Sequence, residues 1–420
     1  MVTFPSGRLR GTVAVPGDKS ISHRALISGV RCDAALDVTN LNPGRDVIAT
    51  QQALEALGIR IERRGEAAVV HPGPLRPPRV ALDCMNSGST VRMLLGACAG
   101  APCAAAFDGD ESLRRRPMEP VAAQLRAFGA RIETSSGTLP LRLLGRAAVE
   151  TRRFILLAPS AQVKSALLFA GLFAGVPVRV EGDRGSRDHT ERLLAYLGAG
   201  IVCDDRSAAL EVPTLHSRPI EVAGDFSAAA FFITAAAIAP ESAILIRGVG
   251  VNPTRTGLLE ALWQMGAAIE LRNQRTVCGE SIADISVEHR PLKATAIDAA
   301  LALRAIDEIP LLAIAAAFAT GTTTIAGVSA LRGKESDRLA AIERLLEAVG
   351  IPIASLPQRI AISGGTPAGT GTAVRTEGDH RIIMGAAVLA CGAGPLAVDD
   401  DAAVDVSFPG FGAALAGLRA

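Results

Sequence analysis

The chain has 420 residues, a formal net charge of +1, 49% hydrophobic residues and 3% aromatic ones. That length exceeds one ordinary core and implies two or more domains. Near-neutral charge and so few rings exclude a nucleic-acid binder, which needs a basic footprint and aromatic faces for bases. The opening MVTFPSGRLRGTVAVPG has no apolar h-region, and the longest apolar runs, FFITAAAIA and IPLLAIAAAFA, are too short to span a bilayer. They read as buried helices, and no membrane role is expected. Seven cysteines without a C-x-x-C pair and six histidines without H-x-x-x-H spacing point to reduced thiols in a cytoplasmic protein, with no metal.

In chain order, the first chemistry-bearing stretch is PGDKSISHRALI (16–27). With Asp18 or Ser20 as cap, a helix here places Ser20 and Arg24 on one face and Lys19 at its mouth. Free N–H groups, a hydroxyl and two cations then converge as anions require, although the glycines of a P-loop are missing. An ordinary capped surface helix explains the stretch equally well. DCMNSGSTVRM (83–93) offers a second such start through Asn86, Ser87, Gly88 and Ser89. FDGDESLRRRPMEP (107–120) ends a basic run at Arg116, and such runs are most often solvated faces. PSAQVKSALLFAGLFAG (159–175) puts Ser160, Gln162 and Lys164 at the entry of an apolar helix, as caps or as ligand donors.

Further on, Asp307 and Glu308 precede the apolar helix of AIDEIPLLAIAAAFATG (305–321), where carboxylates suit the helix dipole or serve as a general base. In LRGKESDRL (331–339), Lys334 and Arg338 stand at i and i+4 beside Glu335, and in GDHRIIMGAAVLA (378–390) His380 and Arg381 open another apolar helix. None of these is specific alone. Together, Lys19, Arg24, Arg116, Lys334, Arg338 and Arg381 form a set of cations at helix starts, which fits substrates carrying several phosphate and carboxylate groups. Only four of the 43 basic residues are lysines, and three of those, Lys19, Lys164 and Lys334, fall in these stretches.

The chain also repeats itself. ALEALGIRIE, QLRAFGARIE, LLAYLGAGIV, ALWQMGAAIE and LLEAVGIPIA each read as a helix end, a glycine and an apolar strand. The glycines, Gly58, Gly129, Gly198, Gly266 and Gly350, are spaced 71, 69, 68 and 84 residues apart and suit the left-handed position that ends a helix. A cut-short sixth copy is GFGAALAGLRA. NPGRDVIATQQALEALG and NPTRTGLLEALWQMG match at both ends, 210 residues apart, so two homologous halves of three α/β units meet near EVAGD (221–225). Two facing lobes would put an active site in the cleft between them.

PGDKSISHRA, NSGSTVR, RRRPM, SAQVKSALL, SRDHTE, GDFSAAAFF, NPTRTG, IDEIPLLAIAAAFA, KESDRL, DHRIIM and SFPGF stand in the order seen in the 5-enolpyruvylshikimate-3-phosphate synthase family, and the resemblance covers nearly the whole chain. It implies an α/β (α+β) fold, a two-lobed inside-out α/β barrel with three βαβαββ-type repeats per lobe around a pseudo-threefold axis. One lobe would hold residues 1–18 and 225–420, the other 19–224. The implied reaction transfers the enolpyruvyl group of phosphoenolpyruvate to the 5-hydroxyl of shikimate 3-phosphate, with no cofactor, glyphosate as an inhibitor and a monomeric state. By the same resemblance Lys19 would touch both substrates, Ser20, Arg24 and Lys334 would hold shikimate 3-phosphate, and Ser160 and Ala161, with Ser186 and Arg187 nearby, its phosphate. Gln162 would lie between the substrates. Asn86, Gly88, Arg116, Arg338 and Arg381, with His380, would form the phosphoenolpyruvate pocket. Asp307 would be the base near the 5-hydroxyl and Glu335 the acid for the phosphoenolpyruvate methylene.

Two positions depart from the pattern: Val406 stands where many relatives carry a lysine, and Ala330 where some carry an asparagine. The SAQVKSA and SRDHTE wording resembles glyphosate-insensitive members, whereas Gly88 argues for sensitivity, because alanine there is common among insensitive ones. The nearest alternative is UDP-N-acetylglucosamine enolpyruvyl transferase, which has a loop cysteine where this chain has Arg116. A non-catalytic binding protein on the same fold is the other alternative.

Overall fold

Each repeat glycine ends a helix with a left-handed backbone: φ is +89° at Gly58, +111° at Gly129, +93° at Gly198, +87° at Gly266 and +72° at Gly350. The helices they end are Arg45–Ala56, Glu119–Ala127, His189–Tyr196, Gly257–Gln264 and Arg338–Glu347. Side chains with a Cβ resist this conformation, so glycine turns the chain out of each helix into a strand. In the computed structural model, which describes residues 1–146, 148–183, 185–369 and 373–419, GFGAALAGLRA forms one more helix, Phe411–Leu418.

The chain separates into two compact units, one of residues 17–223 with 276–280, the other of residues 1–16, 224–275 and 281–420. The first contains three four-stranded sheets of one design. Leu82–Asp83 runs parallel to Ala105–Asp108, which pairs antiparallel with Thr138–Arg146, and that strand with Ala130–Ser135. Arg153–Ile155, Val178–Glu181, Ser207–Val212 and Gly200–Asp204 repeat the pattern, as do Ile220–Glu221, Leu36–Thr39, Ala67–Val70 and Ile61–Arg64. The second unit repeats it twice. Its sheets are Arg10–Ala14, Ala243–Gly250, Glu280–Glu288 and Ala268–Val277, then Ala296–Ile297, Thr322–Ala326, Arg359–Ser363 and Ile353–Leu356. There Val2–Phe4 also pairs antiparallel with Leu396–Val398. The amino-terminal strand Arg10–Ala14 thus joins a sheet built otherwise from residues beyond 240.

Parallel neighbours need a crossover, and helices supply it. Three helices form the core of the first unit, Lys19–Gly29, Gly88–Gly100 and Ala161–Ala174, and three that of the second, Phe226–Ile238, Ile309–Ala317 and His380–Ala393. The runs FFITAAAIA and IPLLAIAAAFA are buried helices, as expected. No helix is long and apolar enough to cross a membrane. In GACAG, a Cβ on Gly96 would lie 2.1 Å from the Ala166 carbonyl oxygen and one on Gly100 2.3 Å from that of Ala170. Hydrogen at these two positions, one turn apart, lets the backbones of the two helices touch.

Candidate active site

In the first unit the amino-terminal ends of the three core helices carry the polar residues singled out above. Asp18 caps the first helix, accepting the N–H of Ile21 at 2.9 Å. Lys19 follows, its Nζ 2.6 Å from Asp46 Oδ2, and the Asp46 carbonyl accepts the Thr90 hydroxyl of the second helix at 3.3 Å. Arg24 is buried. Its Nη1 donates to the Ser20 carbonyl at 2.8 Å, its Nε to Thr190 Oγ1 at 2.7 Å and its Nη2 to Ser165 Oγ at 2.9 Å. Ser20 and Arg24 therefore meet as the spacing predicts. Burial pushes the Arg24 pKa down to about 10, with Glu191 opposing and nearby Arg187 assisting, so it remains a cation at neutral pH.

The second helix is capped by Ser87, whose Oγ accepts the Thr90 N–H at 3.2 Å, and begins at Gly88. Arg116 Nη2 donates to Asn86 Oδ1, and Asn86 Nδ2 donates to Asp110 at 2.6 Å. Gln162 joins this helix to the third, donating to Ser89 Oγ at 2.9 Å and accepting from Arg92 Nη1 at 2.6 Å. Ser160 caps the third helix, which begins at Ala161, by accepting the Val163 N–H at 3.4 Å. The Ser160 N–H donates to Asp183 Oδ1 at 2.8 Å, and the Ser186 hydroxyl donates to the same carboxylate. Lys19, Ser20, Arg24, Asn86, Gly88, Arg116, Ser160, Ala161, Gln162, Ser186 and Arg187 thus all lie in one unit, in small groups: Ser160 and Ser186 share Asp183, Arg24 meets Ser20 directly and Ala161 through Ser165, and Asn86 holds Arg116.

The second unit gathers Asp307, Lys334, Glu335, Arg338, His380 and Arg381, of which Arg338, His380 and Arg381 lie in the first turns of their helices. Asp307 lies two residues before the helix Ile309–Ala317. Around its carboxylate stand Lys334 Nζ at 3.3 Å, Arg338 Nη1 at 3.7 Å, Arg255 Nη1 at 3.8 Å and Arg381 Nη2 at 3.9 Å. Arg338 also reaches Glu335 at 2.5 Å and Asp379 at 2.8 Å, and Asp379 caps the helix that buried His380 opens. Burial alone would raise the Asp379 carboxyl, yet the Arg338 guanidinium holds it below the usual carboxylate range. Burial would likewise lower the Arg338 pKa, but Asp379, Glu335 and Asp307 together raise it above the ordinary value. Ser227 donates to Glu308 and accepts from Arg255 at 2.7 Å and Arg381 at 3.3 Å, tying the same cations to a second helix start.

One expectation is corrected. Lys334 and Arg116 do not stand at helix starts: Asp337 accepts the Leu339 and Ala340 N–H groups and caps a helix that starts only at Arg338, and Arg116 follows the short helix Glu111–Arg114. Lys334 instead ends the short 3-10 turn Val328–Gly333, which aims it at Asp307. Of the departing positions, Ala330 is exposed in that turn and Val406 is half-buried at the end of the turn Ala402–Val406.

Sequence reasoning missed Arg92, Asp46, Asp183, Arg255 and Asp379, and named Lys164 without giving it a role. Arg92 was legible as the arginine one turn beyond Gly88, and Lys164 as a rare lysine. The acids carried no such mark. Among the described residues no group of three or more His, Cys, Asp or Glu side chains is placed to hold a metal.

Residues 4–415 match the family model of EPSP synthase (3-phosphoshikimate 1-carboxyvinyltransferase). Curated relatives named 3-phosphoshikimate 1-carboxyvinyltransferase include one from Desulforudis audaxviator, 44% identical over 99% of this chain and 98% of its own. Another, from Anaeromyxobacter sp. (strain Fw109-5), is 45% identical over 98% of this chain and 96% of its own. The solved EPSP synthase of Acinetobacter baumannii is 35% identical with a TM-score of 0.88, covering 99% of this chain and 98% of that one. An enolpyruvyl transferase from Streptomyces tendae, 18% identical over 99% of this chain and 96% of its own with a TM-score of 0.76, shares the fold. The repeated α/β units, the two sets of helix starts with their cations and these full-length matches place the chain in the EPSP synthase family.

Proposed function

We propose that this chain transfers the enolpyruvyl group of phosphoenolpyruvate to the 5-hydroxyl of shikimate 3-phosphate, releasing phosphate. The observation that carries the reading is the Asp307 carboxylate ringed by Lys334, Arg338, Arg255 and Arg381 at 3.3 to 3.9 Å, with Glu335 on the same Arg338. Adding an alcohol across the enol phosphate requires a proton on the methylene carbon and the removal of one from the hydroxyl. Glu335 delivers the first and Asp307 accepts the second. Reversing the methylene proton transfer on the tetrahedral adduct re-forms the double bond and expels phosphate, whose growing charge the cations stabilise. The substrates' own phosphate and carboxylate groups draw those cations from Asp307 and leave it open to the hydroxyl proton.

In this reading Lys19, Ser20, Arg24 and Lys334 hold shikimate 3-phosphate. Arg24 has two of its five N–H groups left after its three internal bonds. Ser160, Ala161, Ser186 and Arg187 take its phosphate, and Gln162 contacts both substrates. Asn86, Gly88, Arg116, Arg338, His380 and Arg381 take phosphoenolpyruvate. Lys19 assists both substrates as a point charge. Seven free cysteines support a reducing compartment, the cytoplasm. Phosphate release from phosphoenolpyruvate tests the reading: shikimate 3-phosphate supports turnover and UDP-N-acetylglucosamine does not. Release with the second acceptor and not the first refutes it.

Glyphosate is the inhibitor this reading implies, and Gly88 decides the fit. A Cβ on Gly88 would stand 2.6 Å from Arg92 Nη1 and 3.6 Å from Arg116 Nη1, so the space beside it is walled by guanidinium groups. In Gly88→Ala the flexible end of Arg92 gives way and the methyl fills room that the longer inhibitor needs. Overpacking of roughly 1–3 kcal/mol corresponds to about 5- to 150-fold weaker glyphosate inhibition, with a smaller loss for phosphoenolpyruvate. Inhibition constants of both proteins at matched phosphoenolpyruvate saturation check this, and equal constants contradict it.

A further inference from the structure

Behind the serines assigned to the acceptor phosphate lies a buried charge cluster to which no role has yet been given. Lys164 Nζ sits 2.6 Å from Asp183 Oδ2 and 2.6 Å from Glu191 Oε1, and all three side chains are buried. Burial would lower the Lys164 pKa, but the two carboxylates more than reverse this and keep it charged. Burial raises the Glu191 carboxyl, against the pull of Lys164, and its Oε2 has no hydrogen-bond partner among the described residues.

Asp183 uses both oxygens. Oδ1 accepts the Ser160 N–H at 2.8 Å, while Oδ2 takes the Ser186 hydroxyl together with Lys164. The two serines, 26 residues apart in the chain, are thereby held on one carboxylate. The turn that presents it admits little else: Gly182 has φ +83°, and a Cβ there would come within 2.4 Å of the Leu156 carbonyl oxygen. A bare carboxylate beside a phosphate site repels the ligand, whereas one neutralised by a buried ammonium does not.

We propose that Lys164 and Asp183 are positioning residues for the acceptor phosphate. The ammonium fixes the carboxylate, and the carboxylate sets the spacing of Ser160 and Ser186 before the ligand arrives. Neither residue touches the substrate. The proposal rests on the reading that Ser160 and Ser186 hold the phosphate of shikimate 3-phosphate.

Asp183→Asn, Lys164→Met, their double variant and Ser160→Ala test it through kcat, the KM of each substrate and the competitive inhibition constant of shikimate, which lacks the phosphate. Asp183→Asn and Lys164→Met are expected to raise the KM for shikimate 3-phosphate about tenfold or more. The KM for phosphoenolpyruvate, kcat and shikimate inhibition should stay within about threefold. The double variant should match the worse single variant, since both changes act through one carboxylate. Losses shared equally by shikimate 3-phosphate and shikimate, or losses that add in the double variant, overturn the proposal. Where Lys164→Met fails to fold, the near-isosteric Asp183→Asn decides alone, and an unchanged KM for shikimate 3-phosphate overturns it. Ser160→Ala separates the two levels. If it leaves that KM unchanged, the phosphate-site reading fails; if it raises the KM while Asp183→Asn does not, only the positioning role fails.

Discussion

Asp307→Asn is expected to lower kcat by about 100-fold or more, the usual scale for losing a general base, while both substrates bind within a few-fold of the wild type. The amide keeps the shape of the carboxylate and cannot take the hydroxyl proton. It also removes the one charge that Lys334, Arg338, Arg255 and Arg381 share at 3.3 to 3.9 Å. Arg338 keeps Glu335 and Asp379, and Arg255 and Arg381 keep Glu308, but the cluster is left with one negative charge fewer, which an anionic ligand can replace. Binding is therefore expected to hold or tighten as turnover collapses, a split that general damage to the fold does not produce. Steady-state kinetics with calorimetric titration of each substrate measures both quantities. A kcat within about threefold of wild type contradicts the base assignment.

The second large effect falls on stability. Arg338→Met is expected to cost roughly 3–5 kcal/mol, because it strips the guanidinium from a carboxylate that stays buried. Arg338 and Asp379 have 1% and 0% side-chain exposure and lie 2.8 Å apart, so water cannot replace the lost partner. The effect depends on pH. Arg338 holds the Asp379 carboxyl below its ordinary value, so this pair stabilises the protein above the unfolded carboxylate range and loses that contribution as pH falls through the depressed value. In Arg338→Met burial acts unopposed by that guanidinium, so the stability gap between variant and wild type should be widest near neutral pH and narrow on acidification. Urea unfolding across this range tests it, and a neutral-pH loss below about 1 kcal/mol contradicts the buried-pair account.

What could be read in the sequence was local. The repeat glycines announce helix ends because a left-handed residue is a property of a few bonds, and Asp18, Ser87 and Ser160 announce helix starts because a cap reaches only to N–H groups nearby. Cations near such starts are what the proposed anion site is read from. What stayed hidden was pairing across distance. Nothing near Asp183 says that it will hold Ser160, Ser186 and Lys164, and nothing near Arg255 says that it will face Asp307. Lys334 is not at the helix start that the sequence suggests, because Asp337, three residues later, is the cap and the helix begins at Arg338. Gly96 and Gly100 look like helix-weakening residues until Ala166 and Ala170 are seen against them.

Turnover in deuterium oxide tests most directly whether this chain moves an enolpyruvyl group by protonating and then deprotonating the phosphoenolpyruvate methylene. With both substrates present, phosphate is released and mass spectrometry finds an enolpyruvyl ether of shikimate 3-phosphate carrying solvent deuterium on its vinyl carbon, because the methyl of the adduct loses one hydrogen after gaining a deuteron. An ether without deuterium, or phosphate released with pyruvate as the only partner product, contradicts the account.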